Sequence, residues 1–206
     1  VAANCVMEGA EVDQAPRNVL RKQIAKAREL GLRPKTGVEA EFFLLTPAGD
    51  AISAPADIAE KPCYDQQAVM RRYEVISEIC DYMLALGWGP YQNAHEDANG
   101  HFAMNWELDD ALVTADRHSF FKFMVKSVAE QHELRATFMP KPIARLTGNG
   151  CHTHISVWDL DGRANAFEDG GQELGRSERG KHFLGGVMKH APALAAIANP
   201  TVNSYK

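Results

Sequence analysis

Apolar and polar positions change their spacing several times along this chain, and each change marks an element. Residues from Val1 to Met7 read as a terminal strand that turns at Glu8-Gly9-Ala10. Pro16 then opens a helix, with Asp13 upstream as its cap; Val19, Leu20, Ile24, Ala27 and Leu30 recur at helical spacing until Gly31 ends it. From Lys35 to Leu45 the period drops to two. Val38, Ala40 and Phe42 face one way and Glu39, Glu41 and Phe43 the other, as on a strand. Pro47-Ala48-Gly49-Asp50 is a turn, and residues 51–63 form a loop. The pattern next predicts one long helix from about Asp65 to Leu86. Its buried stripe is Val69, Met70, Tyr73, Ile76, Ile79, Cys80, Met83 and Leu84.

Residues 91–108 read as a hairpin. One strand reaches Glu96, Ala98-Asn99-Gly100 turns the chain, and His101, Ala103, Asn105 and Glu107 share a face of the return strand. His95 and Asp97 fit equally as ordinary polar residues of that hairpin. A helix capped by Thr114 or Asp116 follows to about Leu134, with Phe120, Phe121, Met124, Val125 and Val128 turned inward. Ala136 to Pro142 is a short strand ended by its prolines. Gly148-Asn149-Gly150 then forms a turn where backbone can approach a ligand closely, and leads into a strand. Alternation sets Cys151, Thr153, Ile155 and Val157 on its packed side, and His152, His154, Ser156 and Trp158 on the other. A polar loop over 163–177 precedes a last helix from about Ser177 to Asn199, carrying Phe183, Leu184, Val187, Met188, Leu194 and Ile197.

The 206 residues are 45% hydrophobic, enough to build the core of one ordinary domain. A formal charge of -5 with scattered basic residues gives nucleic acid no footing. Cysteines at 5, 63, 80 and 151 share no C-x-x-C spacing, so a reducing, cytoplasmic setting is expected. No apolar run is long enough for a membrane span.

Three features carry chemistry. Glu39 and Glu41 share one strand face and repel each other by roughly a few tenths of a kcal/mol or more. A divalent cation turns that repulsion into attraction; an edge strand with a solvated acidic face is the plainer alternative. Glu96 stands at a strand end beside a turn, where catalytic groups are often presented. His152 and His154 share a face with Ser156, which fits either an active-site wall or a solvated polar face. Taken together, Glu39, Glu41, Glu96 and His152 form an oxygen-and-nitrogen donor set drawn from separate strands. That suits Mg2+ or Mn2+ better than a closed zinc site. Metals held this way serve to clamp phosphates. The chain has no G-x-x-x-x-G-K-[ST] loop, so a nucleotide needs another device.

Five segments occur in the order seen in glutamine synthetases: Gly37-Val38-Glu39-Ala40-Glu41-Phe42-Phe43, the His95-Glu96 hairpin, Ala136-Thr137-Phe138-Met139-Pro140-Lys141-Pro142, Gly148 to Ser156, and Asn203-Ser204-Tyr205-Lys206. From about Asp13 onward the chain resembles that family. Its Glu-Asp-Ala-Asn-Gly and Met-Asn-Trp wording is similar to the branch holding type III-like enzymes and γ-glutamylmethylamide synthetases. The resemblance implies an α+β fold, a largely antiparallel curved sheet with helices packed outside, in a ring-shaped homo-oligomer. It implies ATP, glutamate and ammonia, or methylamine, joined through γ-glutamyl phosphate with Mg2+ or Mn2+. By position, Glu41 and Glu96 resemble ligands of one metal, and Glu39 and His152 ligands of the other. His154 resembles the histidine that contacts glutamate or phosphate, Gly148 the backbone near the amino acid, and Ser156 a nucleotide contact.

Departures from the family pattern set two further expectations. The family reads Gly-Gln-Phe-Glu where this chain reads Gly100-His101-Phe102-Ala103, so a third carboxylate of the Glu41/Glu96 metal is replaced by Ala103. Weakened metal binding is expected, with His101 as a partial substitute. A non-catalytic subunit that binds nucleotide or amino acid is a competing reading; so is a metal-dependent hydrolase using the same side chains. The chain also reads as truncated at both ends: residues 1–14 as a remnant of an N-terminal domain and linker, and 15–206 as a partial catalytic domain that turns over nothing alone.

Overall fold

Alternation along Leu32–Leu45 produces a strand with two unlike faces. Val38, Ala40, Phe42 and Leu44 sink into the main core, whereas Phe43 and Leu45 join a smaller cluster with Ala98 on the other side. The computed structural model describes residues 2–206, so the Val1 end of the expected terminal strand lies outside the described residues. Its elements are β1 (Val6–Met7), β2 (Ala10–Glu11), α1 (Pro16–Glu29), β3 (Leu32–Leu45), α2 (Gln66–Met70), α3 (Tyr73–Ala85), β4 (Pro90–His95), β5 (His101–Trp106), β6 (Asp109–Asp110), α4 (Ala111–Gln131), β7 (Arg135–Thr137), β8 (Cys151–Asp159) and α5 (Glu178–Ala198). The family of antiparallel pairings centres on β3, which pairs with β5, β6 and β7, while β4 pairs with β5. Strand β8 also pairs with β3. Mixed helices and antiparallel sheet give the α+β class expected.

Two units divide the chain, and β3, α4 and β8 each run through both. The first unit takes residues up to Gly37, then Leu108–Asp116 and His154–Pro200. Here Val6–Met7 pairs with Ala10–Glu11, so the terminal strand is only the arm of a short hairpin. Helix α1 starts at Pro16 as expected, but Ala15 is its N-cap residue and no side chain caps it. Asp13 instead pairs with Lys22 at 2.6 Å. The apolar stripe of α1 packs only in part: Leu20, Ile24 and Ala27 are half-buried and Val19 and Leu30 exposed, while the helix buries Asn18, whose amide donates to the Val12 carbonyl at 2.9 Å. Helix α4 begins at Ala111 and not at Thr114 or Asp116. Those two side chains are occupied otherwise: Thr114 donates to the Thr36 carbonyl at 2.8 Å, and Asp116 accepts from Arg17 at 2.9 Å. Ser177 caps α5 by accepting from Gly180 N, yet none of the apolar side chains on α5 is buried.

The second unit takes Val38–Glu107, Arg117–Thr153 and Thr201–Lys206 and holds the main core. One sheet face lies against α3 and α4: Phe42, Phe102, Met104 and Trp106 pack with Ile76, Ile79, Met83, Phe121, Val125 and Val128. Four of the expected core positions fail, Leu84 in the last turn of α3 among them. Met70 and Tyr73 are exposed because the long helix is broken at Arg71-Arg72, and Phe120 is exposed on α4. The break has a cause. Arg72 leaves helical geometry at φ -127°, and its guanidinium donates to Ser53 Oγ at 2.8 Å and to the Ser53 carbonyl, pinning the 51–63 loop. The strand expected from Ala136 to Pro142 is paired only over Arg135–Thr137.

Candidate functional site

Strand pairing places the acidic face. Across β3 and β5, Glu39 stands opposite Asn105, Glu41 opposite Ala103, and Phe43 opposite His101. The period-two rule therefore puts Glu39, Glu41, His101, Ala103 and Asn105 on one side of the sheet, away from the helices. Ala103 leaves a methyl where β5 meets Glu41, and that side chain turns to other partners.

Glu41 Oε2 accepts from Gly150 N at 2.6 Å and lies 3.1 Å from His101 Nε2. Burial alone would raise the Glu41 carboxyl. His101, the Gly150 amide and the nearby His152 outweigh it and hold the group below its ordinary range. His101 is 1% exposed, and apart from this contact with Glu41 its ring nitrogens have no hydrogen-bond partner. Its ring stacks on Phe43 at 4.5 Å with a 4° interplanar angle. Glu39 Oε2 meets His152 Nδ1 at 3.1 Å, at an exposed position where the His152 side chain is 73% accessible.

Glu96 follows β4 and its amide donates to the His101 carbonyl at 2.8 Å, which closes the hairpin. Burial first, then the Glu41 and Glu39 carboxylates, push its carboxyl above the ordinary range, with His101 and His95 opposing. Glu96 is therefore the carboxyl on which burial and the neighbouring Glu41 and Glu39 charges tell. The hairpin is held by a residue that sequence reading missed. Asp57, buried in the 51–63 loop, accepts from Gly100 N at 2.7 Å and Asn99 Nδ2 at 3.1 Å, and faces His95 Nε2 at 2.8 Å. Burial opposes the Asp57 charge, yet these donors keep its carboxyl below the ordinary value of 3.8. His95 is fully buried in this network, so it is a structural residue of the hairpin. Asn99-Gly100 announced the turn, but nothing in the sequence pointed to a partner some forty residues earlier.

The glycine turn before β8 is filled by protein. Any side chain at Gly148 would overlap the Pro140 carbonyl, which also accepts from Asn149 N at 2.8 Å. Asn149 Nδ2 donates to the Met139 carbonyl at 2.7 Å, and Asn203 brackets Lys141 through Oδ1 and Nδ2 at 2.6 and 2.9 Å. The Met-Pro-Lys-Pro segment therefore fixes the turn that delivers the Gly150 amide to Glu41. Cys151 is exposed and does not pack behind the strand; Val157 is the side chain on that side that is buried. His154 and Ser156 belong to the first unit. His154 is exposed, and Ser156 Oγ accepts from Trp158 Nε1 at 2.9 Å.

The donor set suits a divalent cation: carboxylates and imidazoles on one sheet face, a Glu96 carboxyl pushed above its ordinary range, and a buried imidazole that meets only the Glu41 carboxylate. Among the described residues, no three His, Cys, Asp or Glu side chains are already drawn together as around an ion. Glu41–His101 and Glu39–His152 are the preformed pairs. No helix among the described residues is long and apolar enough to cross a membrane.

Comparison with known proteins gives a consistent result. The family described as glutamine synthetase, catalytic domain, matches residues 13–206. A glutamine synthetase of Rhizobium meliloti (strain 1021) is 71% identical over all of this chain and 47% of its own length. The glutamate–methylamine ligase of Methyloversatilis universalis is 41% identical over 92% of this chain and 43% of its own. A solved GmaS/ADP complex superposes with a TM-score of 0.96 at 62% identity, covering 98% of this chain and 47% of that one. The chain spans about half the length of the relatives it matches.

Proposed function

Because the chain belongs to the glutamine synthetase family, we propose that the whole protein is an ATP-dependent ligase forming the γ-amide of glutamate with ammonia through γ-glutamyl phosphate. The observation that carries this reading is the acidic sheet face, with Glu39 and Glu41 two residues apart and raised Glu96 beside them. In this reading Glu41 and Glu96 hold one Mg2+ or Mn2+ ion, and Glu39 and His152 hold the other. Such ions, when bound, draw negative charge from a transferring phosphoryl group.

The remaining roles fall to the chain itself. The Gly150 amide fixes one oxygen of Glu41 and leaves the carboxylate oriented before any ligand arrives. The Asp57 network holds the turn after Glu96, so that carboxyl is presented from a rigid hairpin. His154 contacts glutamate or phosphate, the backbone at Gly148 borders the amino acid, and Ser156 meets the nucleotide. The Trp158 indole donates to the Ser156 hydroxyl, which leaves that hydroxyl's own proton to donate. The 1–14 and 15–206 division, the ring-shaped homo-oligomer and a cytoplasmic setting are parts of the same proposal.

Methylamine in place of ammonia is a second reading, supported by the 62% identity to the GmaS/ADP complex and the likeness to a glutamate–methylamine ligase. Phosphate release from ATP by the full-length protein, with glutamate and either amine, tests both. Glutamate-dependent release with one amide product is expected. Amide hydrolysis that needs no nucleotide would favour the metal-dependent hydrolase, and nucleotide binding without turnover the non-catalytic homologue that Ala103 suggests.

A further inference from the structure

We propose that His101 is a metal ligand: its imidazole supplies a nitrogen donor to the cation held by Glu41 and Glu96, and makes that position select Mn2+, Co2+ or Zn2+ over Mg2+. This rests on the cation reading above and specifies its chemistry.

The case begins with a buried imidazole whose one polar neighbour is a carboxylate already assigned to the cation. His101 is 1% exposed, Nε2 meets only the Glu41 carboxylate, and Nδ1 has no hydrogen-bond partner. Leaving a buried polar atom unmatched is costly, so native proteins rarely do so without a reason. Nor is the ring loosely placed. It stacks on Phe43 at 4.5 Å and is nearly coplanar with it, which fixes the direction in which Nε2 points. That direction is toward Glu41, whose Oε2 is 3.1 Å away.

The geometry on the sheet explains why His101 and not a nearer residue fills this role. The residue directly opposite Glu41 is Ala103, which has no donor. His101 lies diagonally across the two strands, and an imidazole is long enough to reach the Glu41 carboxylate from there. Glu96 is two residues before the turn that begins β5, and its carboxyl feels both Glu41 and His101. No third donor is yet drawn in, so the ion itself has to bring Glu96 onto the Glu41–His101 pair.

Chemistry then sets the preference. Mg2+ demands oxygen donors and near-octahedral geometry, and it gives up water reluctantly. Imidazole nitrogen suits the later first-row ions. Two carboxylates and one imidazole thus form a set in which nitrogen costs Mg2+ affinity and adds Zn2+, Co2+ or Mn2+ affinity. Because Mn2+ is paramagnetic, its nitrogen ligands can be observed directly.

The experiment is 14N electron spin-echo modulation on Mn2+ bound to the 206-residue chain, with Mn2+ and Mg2+ affinities measured alongside. His152→Gln removes the other candidate imidazole, so nitrogen modulation remaining in that variant comes from elsewhere. His101 coordination is expected to leave clear 14N modulation in His152→Gln and to abolish it in His101→Gln/His152→Gln. His101→Gln alone is expected to lower Mn2+ affinity about ten-fold while changing Mg2+ affinity less than about three-fold. Should His101→Gln fail to fold, Glu96→Gln made in the His152→Gln background, which keeps the His101 imidazole, is expected to weaken Mn2+ and retain the modulation, and loss of the modulation there would count against His101. Mn2+ that binds His152→Gln with Glu96-dependent affinity but no nitrogen modulation would overturn the role of His101 and leave the cation reading intact. No saturable Mn2+ binding to any of these proteins would overturn the cation reading as well.

Discussion

At Ala103 the β5 backbone stands directly opposite Glu41, in a buried position bordered by Ala94 on β4. Placing a carboxylate there has two opposite effects. Without metal, Ala103→Glu sets like charges on paired strands, and the melting temperature should fall. With Mn2+ the same carboxylate becomes a donor, and affinity should rise by roughly ten-fold or more. Thermal melts and calorimetric titration with and without Mn2+ check both; unchanged affinity would mean that Ala103 does not border the ion. A second residue carries its own signal. Burial, assisted by Lys122, depresses His118 from 6.5 to about 4. Between those two pH values the unfolded chain holds a proton that the folded chain does not, so stability should fall as pH drops from about 6.5 to about 4. After allowance for partial exposure the loss is about 2 kcal/mol, and His118→Gln should flatten that part of a denaturation-versus-pH curve. Sequence alternation was enough to put His101 and Ala103 on the acidic face. It could not reveal that His101 is buried against Phe43, because that depends on which strand β5 pairs with and in which register.

Elements were legible where a period ran without interruption. The alternation of β3 and of β8, the hairpin at Asn99-Gly100, and the Pro16 start of α1 all follow from local pattern. The helix over 65–86 failed because its interruption is tertiary: Ser53, nineteen residues earlier, takes the Arg72 guanidinium. Helix α5 lies where the period placed it, between Ser177 and Asn199. Its helical period is real, but in this structure Leu194 and Ile197 face solvent. Truncations should separate the two kinds of apolar position. Ile79→Ala, at a site with no exposure, should cost about 2–5 kcal/mol, whereas Ile197→Ala, 80% exposed, should cost under about 0.5 kcal/mol in urea denaturation. Asp57 ties the loop to the hairpin, and its loss acts on both. Asp57→Asn should cost about 2–4 kcal/mol by leaving donors of Gly100 and His95 poorly matched, and should also weaken Mn2+ binding through Glu96. Since the Asp57 carboxyl is held below 3.8, its contribution is present above that value and should disappear as pH falls through the folded titration.

For the molecule as a whole, the division of labour follows the division of the chain. All the carboxylates and imidazoles assigned to cations, Glu39, Glu41, Glu96, His101 and His152, lie in one unit, while His154 and Ser156 lie in the other. In the proposed reading, holding the ions is a property of the unit that contains the main core, and the two substrate-side residues should be separable from it by substitution. The most direct measurement is Mn2+ binding to the 206-residue chain, followed by calorimetry and electron paramagnetic resonance. About two saturable ions are expected. Glu41→Gln should weaken one, Glu39→Gln the other, and His154→Ala should leave both within about three-fold. Absence of saturable binding, or binding indifferent to both glutamate substitutions, would contradict the cation-holding sheet face on which the functional reading stands.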